Sequence, residues 1–159
     1  MTRSSHQIIT AGIAAIAGCP VSMIAGAWLG STLPDLDIVL GIPHRTITHW
    51  PVLPGLLGLS AWMLPPPMVP HGELINHLFQ GIAFGMLAHL AEDSLTHMGI
   101  PVFFPYGKRY SFHLTETGGK LERVILIAVV CLLFWKFFPF GNIQNTFGMI
   151  QNNFLNRFR

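Results

Sequence analysis

The sequence predicts an all-α integral membrane protein, a bundle of about four transmembrane helices followed by a C-terminal amphipathic helix. Of its 159 residues, 51% are hydrophobic and only 10% are charged, whereas globular chains average about 25% charged residues. Long uncharged segments also recur along the chain. So few charges could hardly cover a soluble surface, and the length favours a single domain.

We predict one membrane-embedded helical domain over residues 1–140 and an amphipathic tail over residues 141–159. The net charge of +2 is small and no block of Lys or Arg occurs, so direct nucleic-acid binding is not expected. Cys19 and Cys131 both lie in apolar segments. This placement excludes a disulfide scaffold and a CxxC metal site.

The first predicted helix runs from Ile8 to Gly30, a stretch without any charged residue. It is long enough for a bilayer core, which needs about 20 residues, and Pro20 is expected to kink it. A cleaved signal peptide is the alternative, with Ala25-Gly26-Ala27 as the cleavage site. The apolar segment is longer than the hydrophobic region of a signal peptide, which usually has about 7–15 residues, so we prefer a retained helix.

Three further apolar segments complete the predicted bundle. The second lies between Trp50 and Pro70, and its short helical part allows a tilted or partly re-entrant path. The third spans about Glu73 to His97, and the fourth spans Val124 to Phe140. In the tail, apolar residues recur at steps of four and three, which is typical of an interfacial amphipathic helix or of a helix that packs on a partner.

The number of membrane crossings that precede each polar segment (helix parity) predicts on which side of the membrane that segment emerges. If four helices alternate in direction, all segments rich in Asp and His reach one side of the membrane, and both chain termini lie on the other side. The connection from Gly99 to Glu122, which mixes aromatic residues with Lys108 and Arg109, emerges beside them at the level of the lipid headgroups. Five Lys and Arg residues are predicted on the side of the Asp and His residues, and four on the other side. Because positively charged residues are more frequent on the cytoplasmic side, this count favours a cytoplasmic site by a small margin.

Polar side chains cluster at the ends of the apolar segments, where ionisable residues have a functional role by default. Imidazole nitrogens and carboxylate oxygens suit zinc, the predicted ion, and manganese or magnesium is the alternative. The candidate ligands are Asp35, Asp37, His44, His49, His89 and Asp93. Six exceed the four that a tetrahedral zinc ion needs, so we expect either two ions or some residues that only orient the ligands.

The spacing of these residues supports a shared site. His89 and Asp93 are one helical turn apart and His97 follows a turn later, so all three are predicted near one helix face. In an extended Asp-x-Asp both side chains point to the same side. One of Asp35 and Asp37 could then bind the ion while the other orients a ligand.

A bound ion would serve hydrolysis, because it lowers the pKa of bound water to about 7. We place Asp37, Arg45 and His49 in the catalytic centre, with Arg45 as a clamp for phosphate or carboxylate. Three further residues could orient ligands: Thr48, Thr96 and His97. Alternatively, Asp35 caps a turn and Asp93 pairs with Arg45 or Arg123 in a purely structural arrangement.

The polar clusters resemble the motifs of the YdjM-type family of bacterial inner-membrane proteins. These motifs are a glycine-led PDxD at residues 30–37, an HRxxTH at residues 44–49 and an HxxxDxxTxxG at residues 89–99. The resemblance covers about residues 8–125 and implies a membrane-bound, metal-dependent hydrolase that is regulated by LexA or binds it. It implies the following functional set: Asp35, Asp37, His44, His49, His89 and Asp93.

Two functions stay open. The leading hypothesis is a hydrolase that acts on a phosphoester or lipid-linked substrate at the membrane interface, with one or two divalent ions. The rival is a non-catalytic membrane protein in which the Asp/His cluster is a metal or ion-pair staple that supports partner binding or a stress response. An ion transporter fits less well, because the polar residues cluster on one side and do not line a path through the bilayer.

Overall fold

The computed structural model describes residues 1–63, 66 and 69–138 of the chain. These residues are mostly helical, which confirms the predicted helical class in its coarser form. The helices are α1 (Arg3–Ile16), α2 (Val21–Gly30), α3 (Leu36–Leu40), α4 (Val52–Met63), α5 (Gly72–Ser94) and α6 (Lys120–Phe137), with a 3-10 turn at Ile47–His49. Two short strands, β1 (Ile100–Pro101) and β2 (Arg109–Tyr110), pair antiparallel. The predicted amphipathic tail lies outside the described residues.

The prediction of one continuous helix from Ile8 to Gly30 is wrong, because the chain turns after α1. Gly18 adopts a left-handed conformation with a φ of 80°. Cys19 donates its N–H to a carbonyl in the last turn of α1 at 3.1 Å, which closes the helix end. Pro20, whose ring fixes φ, directly precedes α2. The Gly-Cys-Pro sequence therefore makes a turn between two helices and not a kink.

Helices α2 and α5 pack with their backbones in contact, along a seam of glycines spaced four residues apart. A Cβ atom at Gly26 or Gly30 would lie 2.2 Å from a backbone oxygen of α5. A Cβ atom at Gly81 or Gly85 would lie 2.1 or 2.2 Å from a backbone oxygen of α2. Small residues at this spacing allow helix backbones to approach closely. The facing residues advance in the same direction along both helices, so α2 and α5 run parallel and end side by side.

The remaining long helices pack around this pair. The Gln80 side chain in α5 donates to the Ala61 carbonyl in α4 at 3.2 Å, and α4 runs antiparallel to α5. Helix α6 lies along α1 in the same direction. Glu122 near the start of α6 accepts the Thr2 N–H at 3.0 Å, and Lys136 near its end donates to the Ile16 carbonyl at 2.6 Å.

The N-terminal residue lies at the same end of the bundle as the Asp and His residues, and the predicted placement on the opposite side is wrong. The Met1 nitrogen is 3.3 Å from Asp93 Oδ1. The turn at Gly18 adds one reversal of direction that helix parity did not include. We call this end of the bundle, where α2 and α5 end and α1, α4 and α6 begin, the site end.

Within the described residues, one helix is long and apolar enough to cross a membrane by length and composition: α5. Helices α2 and α4 are apolar but contain 10 and 12 residues. At about 1.5 Å per residue they are roughly 15 and 18 Å long, about half of a 30 Å bilayer core. The four transmembrane helices predicted from sequence therefore stay a prediction.

We expect Gly85→Ala to lower the free energy of unfolding by about 1–3 kcal/mol, the usual cost of adding atoms to a packed interior. The new Cβ would meet the Ala27 carbonyl oxygen and push α2 away from α5. Gly55→Ala in α4 is the matched control, because no atom of the described residues lies within 4 Å of its Cβ position and alanine favours a helix. Thermal unfolding of both variants in detergent checks this. Equal stability of the two variants would contradict the seam.

Candidate metal centre

The chain reverses direction between α3 and the 3-10 turn, and this reversal brings the first two motifs together at the site end. Gly41 ends α3 with a φ of 68°, and Arg45 has a φ of 59°. A non-glycine residue at positive φ costs of order 1–3 kcal/mol and persists only where surrounding contacts hold it. For Arg45 those contacts are within the candidate site.

Four side-chain donor atoms converge between α3, the 3-10 turn and α5. His49 Nε2 lies 3.5 Å from Asp93 Oδ2 and 3.9 Å from Asp35 Oδ1. His89 Nε2 lies 3.6 Å from each of these two oxygens. Ligands at about 2.0–2.1 Å from a tetrahedral zinc ion are about 3.4 Å apart. All four distances are thus within about half an ångström of the edges of a zinc tetrahedron.

The two Nε2 atoms are buried and have no hydrogen-bond partner in the described part of the chain. A buried, unpaired polar atom costs about 1–3 kcal/mol, so such a pair calls for a ligand. The Ser31 carbonyl accepts from His89 Nδ1 at 2.7 Å. Because a carbonyl only accepts, the proton of His89 is on Nδ1 and the Nε2 lone pair points at the carboxylates. The residues therefore fit a divalent cation.

Asp37 fixes the orientation of His49 from the opposite side. Its buried carboxylate accepts from Thr48 Oγ1 at 2.7 Å, from His44 Nδ1 at 2.9 Å and from the Arg45 N–H at 3.2 Å. Burial raises the pKa of Asp37, but these hydrogen bonds outweigh it and hold the pKa below its usual value. His49 Nδ1 lies 3.0 Å from Thr48 Oγ1 and 3.3 Å from Asp37 Oδ2. Because the Thr48 hydroxyl donates its own proton to Asp37, it accepts from Nδ1, so the proton of His49 is on Nδ1 and Nε2 is free.

Burial also acts on His49 itself. Removal from water lowers the pKa of His49 by more than the neighbouring carboxylates raise it. The neutral imidazole is the form that binds a metal ion.

Asp35 and Asp37 do not form the extended pair predicted from the Asp-x-Asp spacing. Asp35 has φ and ψ of −75° and −3°, and Asp37 lies within α3. In this helical conformation the two side chains reach different atoms of the same histidine. Asp35 faces Nε2 of His49, and Asp37 faces Nδ1.

Arg45 is buried, with 5% of its surface exposed, and its guanidinium holds Asp93. Nη2 is 3.0 Å from Asp93 Oδ2, and Nη1 donates to Thr96 Oγ1 at 2.9 Å and to the Gly99 carbonyl at 3.2 Å. Thr96, predicted to orient a ligand, thus contacts the arginine. To clamp a substrate as predicted, Arg45 would have to release some of these partners.

His97 lies outside the cluster, and the prediction that it shares a helix face with His89 and Asp93 is wrong. Helix α5 ends at Ser94, so the helical spacing does not extend to residue 97. The His97 ring is exposed and packs edge-on against His113, with ring centroids 5.2 Å apart.

Possible ligand atoms within 4.8 Å of one another form two neighbouring triads: His6, His89 and Asp93; and Asp35, His44 and His49. The contacts of His49 with Asp93 and of His89 with Asp35 join the triads into one centre. The structure thus brings together six donors, as many as the sequence predicts, but His6 takes the place of Asp37. Asp37 instead supports two members of the second triad.

Comparison with known proteins gives the chain a family. A sequence model described as "YdjM inner membrane protein" matches residues 1–150. The chain belongs to the YdjM family of inner membrane proteins. The resemblance seen in the three motifs is thus confirmed, and the family supports an inner-membrane location.

Curated relatives in the YdjM family are similar over most of the chain. The inner membrane protein YdjM of Escherichia coli (strain K12) is 28% identical over 133 residues, which cover 71% of this chain and 65% of the relative. The inner membrane protein YdjM of Shigella flexneri gives the same values. The chain therefore spans somewhat less than two thirds of the length of these relatives. No solved structure gives a significant match.

Two residues of the site in this YdjM-family protein were not predicted from the sequence: His6 and Glu92. His6 Nδ1 is 2.8 Å from Glu92 Oε2, and Thr10 donates to the same carboxylate at 3.3 Å. The His6 ring stacks on His89 with centroids 3.9 Å apart. His6 Nε2 lies 3.5 Å from Asp93 Oδ1. His6 therefore contacts both residues of α5 that contribute to the four converging donor atoms, His89 and Asp93.

A signal for His6 was present in the sequence. His6 and Thr10 are spaced i,i+4 in a helix that is otherwise mostly apolar, so they share one polar face. Helix parity placed that face at the far end of the bundle. Glu92 lies about 100° around α5 from Asp93, and that direction points to α1.

We expect Glu92→Ala to lower the free energy of unfolding by about 1–3 kcal/mol, because His6 Nδ1 would remain buried without its acceptor. Glu116→Ala removes an exposed carboxylate at the same end of the bundle and serves as the control. Thermal unfolding of both variants measures the difference. A Glu92→Ala midpoint equal to that of the control would show that the His6–Glu92 pair does not support the site.

Proposed function

We propose that this protein is a membrane-bound, metal-dependent hydrolase with a divalent ion, zinc in the first place, at the site end. Two buried imidazole nitrogens, which have no hydrogen-bond partner among the described residues, face two carboxylate oxygens at 3.5–3.9 Å, and this observation supports the proposal most strongly. Buried polar atoms in native proteins are nearly always paired. The proposed ligands are Asp35, His49, His89 and Asp93.

A bound zinc ion supplies a water molecule with a pKa near 7 and stabilises negative charge on a substrate oxygen. The chain's own residues hold the ligands in position. Asp37 orients His49 and the Ser31 carbonyl orients His89, while Arg45 holds Asp93. Loss of such supporting groups commonly costs 10–100-fold in metal affinity.

An anionic substrate, a phosphoester or a lipid-linked phosphate, suits the surroundings of this centre. Arg109 Nη2 donates to the His44 carbonyl at 3.1 Å, so a basic loop is attached directly to the second motif. Lys108 adds a second exposed positive charge beside it. The inner-membrane location of the family brings lipids within reach. Multi-pass topology, a cytoplasmic site, a second ion and a link to LexA remain predictions.

A structural staple is the second candidate function, and the donor count favours it. Four protein ligands fill a tetrahedral zinc ion, whereas catalytic zinc sites keep one position open. For catalysis one ligand must give way to substrate or water. Asp35 fits that role, since its side chain is 14% exposed whereas those of the other three ligands are at most 2% exposed.

We expect the purified protein to hold at least one equivalent of zinc and Asp35→Ala to lose it. The ion-pair contacts of the Asp35 side chain, within the described residues, are those with His49 and His89, so its removal should leave the fold intact. His97→Ala, a histidine outside the cluster, is the control and should keep the metal. Elemental analysis after dialysis gives the content. Less than about half an equivalent in the unsubstituted protein would refute the metal site.

We further expect zinc-dependent turnover of phosphodiester or lipid phosphate substrates by the protein in nanodiscs, lost in Asp35→Ala and restored to the unsubstituted protein when zinc is returned after chelation. The staple predicts no turnover and a large fall in the unfolding midpoint on chelation. Metal at a hundred times its dissociation constant stabilises a fold by about 2.7 kcal/mol. Turnover that is unaffected by chelation would contradict both functions.

A further inference from the structure

A hairpin of apolar and basic residues projects from the site end. It comprises residues 99–114, with β1 and β2 as its two arms, and we call it the aromatic hairpin. Its most exposed large side chains are Phe103 (77%), Phe112 (69%), Tyr106 (66%), Phe104 (63%) and Leu114 (62%). Single exposed apolar residues are common, but a contiguous group of this kind marks an interaction surface.

The aromatic hairpin is hydrogen-bonded to the end of the helix that is long enough to cross a membrane. Phe112 donates its N–H to the Ser94 carbonyl at 2.9 Å, and Leu114 donates to the Leu95 carbonyl at 2.9 Å. Ser94 is the last residue of α5. If α5 crosses the hydrocarbon core, its end marks the boundary with the headgroups, and the hairpin lies at that depth.

The charge of this surface is of one sign. Residues 94–115 contain no Asp or Glu but include Lys108 and Arg109. Lys108 Nζ lies 5.7 Å from the centre of the Tyr110 ring, so the cation and the ring form one exposed unit. Aromatic rings sit at the headgroup level of membranes, and each basic residue near an anionic leaflet contributes about 1 kcal/mol.

A cavity of about 430 Å³ opens beneath the exposed rings. It is lined mainly by apolar side chains, together with two serines: Ile100, Val102, Phe103, Tyr110, Phe112, Ser94 and Ser111. Its volume falls in the range of about 300–1,000 Å³ that is usual for ligand sites. Ser94 directly follows Asp93, so the cavity adjoins the candidate metal centre.

We propose that the aromatic hairpin docks into an anionic lipid leaflet on the side of the metal centre and receives a lipid acyl chain in this cavity. The basic residues bind the headgroups, and the rings lie among the upper parts of the acyl chains. This surface works in the same way whether the neighbouring centre is catalytic, structural or empty. If the proposed function holds, it also presents lipid substrates to the site from the membrane.

Spin labels on the full chain in nanodiscs test the insertion. In a Cys19→Ala, Cys131→Ala background, labels are placed by Phe103→Cys, Phe112→Cys and, as the control, Thr117→Cys in the exposed polar turn at the same end. With one quarter phosphatidylglycerol in phosphatidylcholine, we expect labels 103 and 112 to be several-fold more accessible to oxygen than to a water-soluble nickel reagent. The label at 117 should show the reverse. Equal nickel accessibility at all three positions would overturn the proposal.

Lipid charge and lipid binding are tested separately. Lys108→Glu, or pure phosphatidylcholine, should make the label at 103 shallower, and an unchanged depth would overturn the anionic preference. In a background with the four native tryptophans replaced by phenylalanine, a brominated acyl chain should shorten the fluorescence lifetime of Val102→Trp, which lines the cavity, but not of Thr117→Trp. An unchanged lifetime at position 102 would overturn the lipid chain in the cavity. Protection of the label at 103 that rises with protein concentration in detergent would assign the surface to a second copy of the chain and refute lipid docking.

Discussion

The carboxylate of Asp93 is the point at which three segments of the site end meet. Its Oδ2 faces Arg45 and two histidine nitrogens, and its Oδ1 faces His6. A buried carboxylate is stable only with positive charge and hydrogen-bond donors around it. Arg45 comes from the second motif and His6 comes from the first helix, so satisfying this one group fixes the relative positions of three parts of the chain.

The close packing of glycines between α2 and α5 holds the residues of the site in fixed relative positions. Because the two backbones touch, the end of α2 has little freedom relative to the end of α5. Ser31, directly after α2, can therefore place its carbonyl 2.7 Å from His89 Nδ1. The following residues lead to Asp35. The four-residue spacing of the glycines therefore positions the Ser31 carbonyl, and this carbonyl determines which nitrogen of the candidate ligand His89 carries the proton.

The residues that provide the candidate ligands could be predicted from the sequence. The contacts between segments far apart in the chain could not. Asp35, His49, His89 and Asp93 were found because ionisable residues stand out against apolar segments. His6 was missed because the uncharged stretch from Ile8 to Gly30 continues through the turn, so hydropathy did not reveal the reversal of the chain at Gly18 and Pro20. Likewise, spacing alone does not show where α5 ends, and His97 was placed on a helix that stops at Ser94.

X-ray absorption at the zinc edge of the purified protein tests the central claim most directly. Four protein ligands predict a first shell of nitrogen and oxygen at about 2.0–2.1 Å, with the outer-shell scattering of two imidazole rings, which falls to that of one ring in His89→Ala reloaded with zinc. A shell without imidazole scattering, or one that is the same in His89→Ala, would contradict a metal centre built from these two histidines and two aspartates.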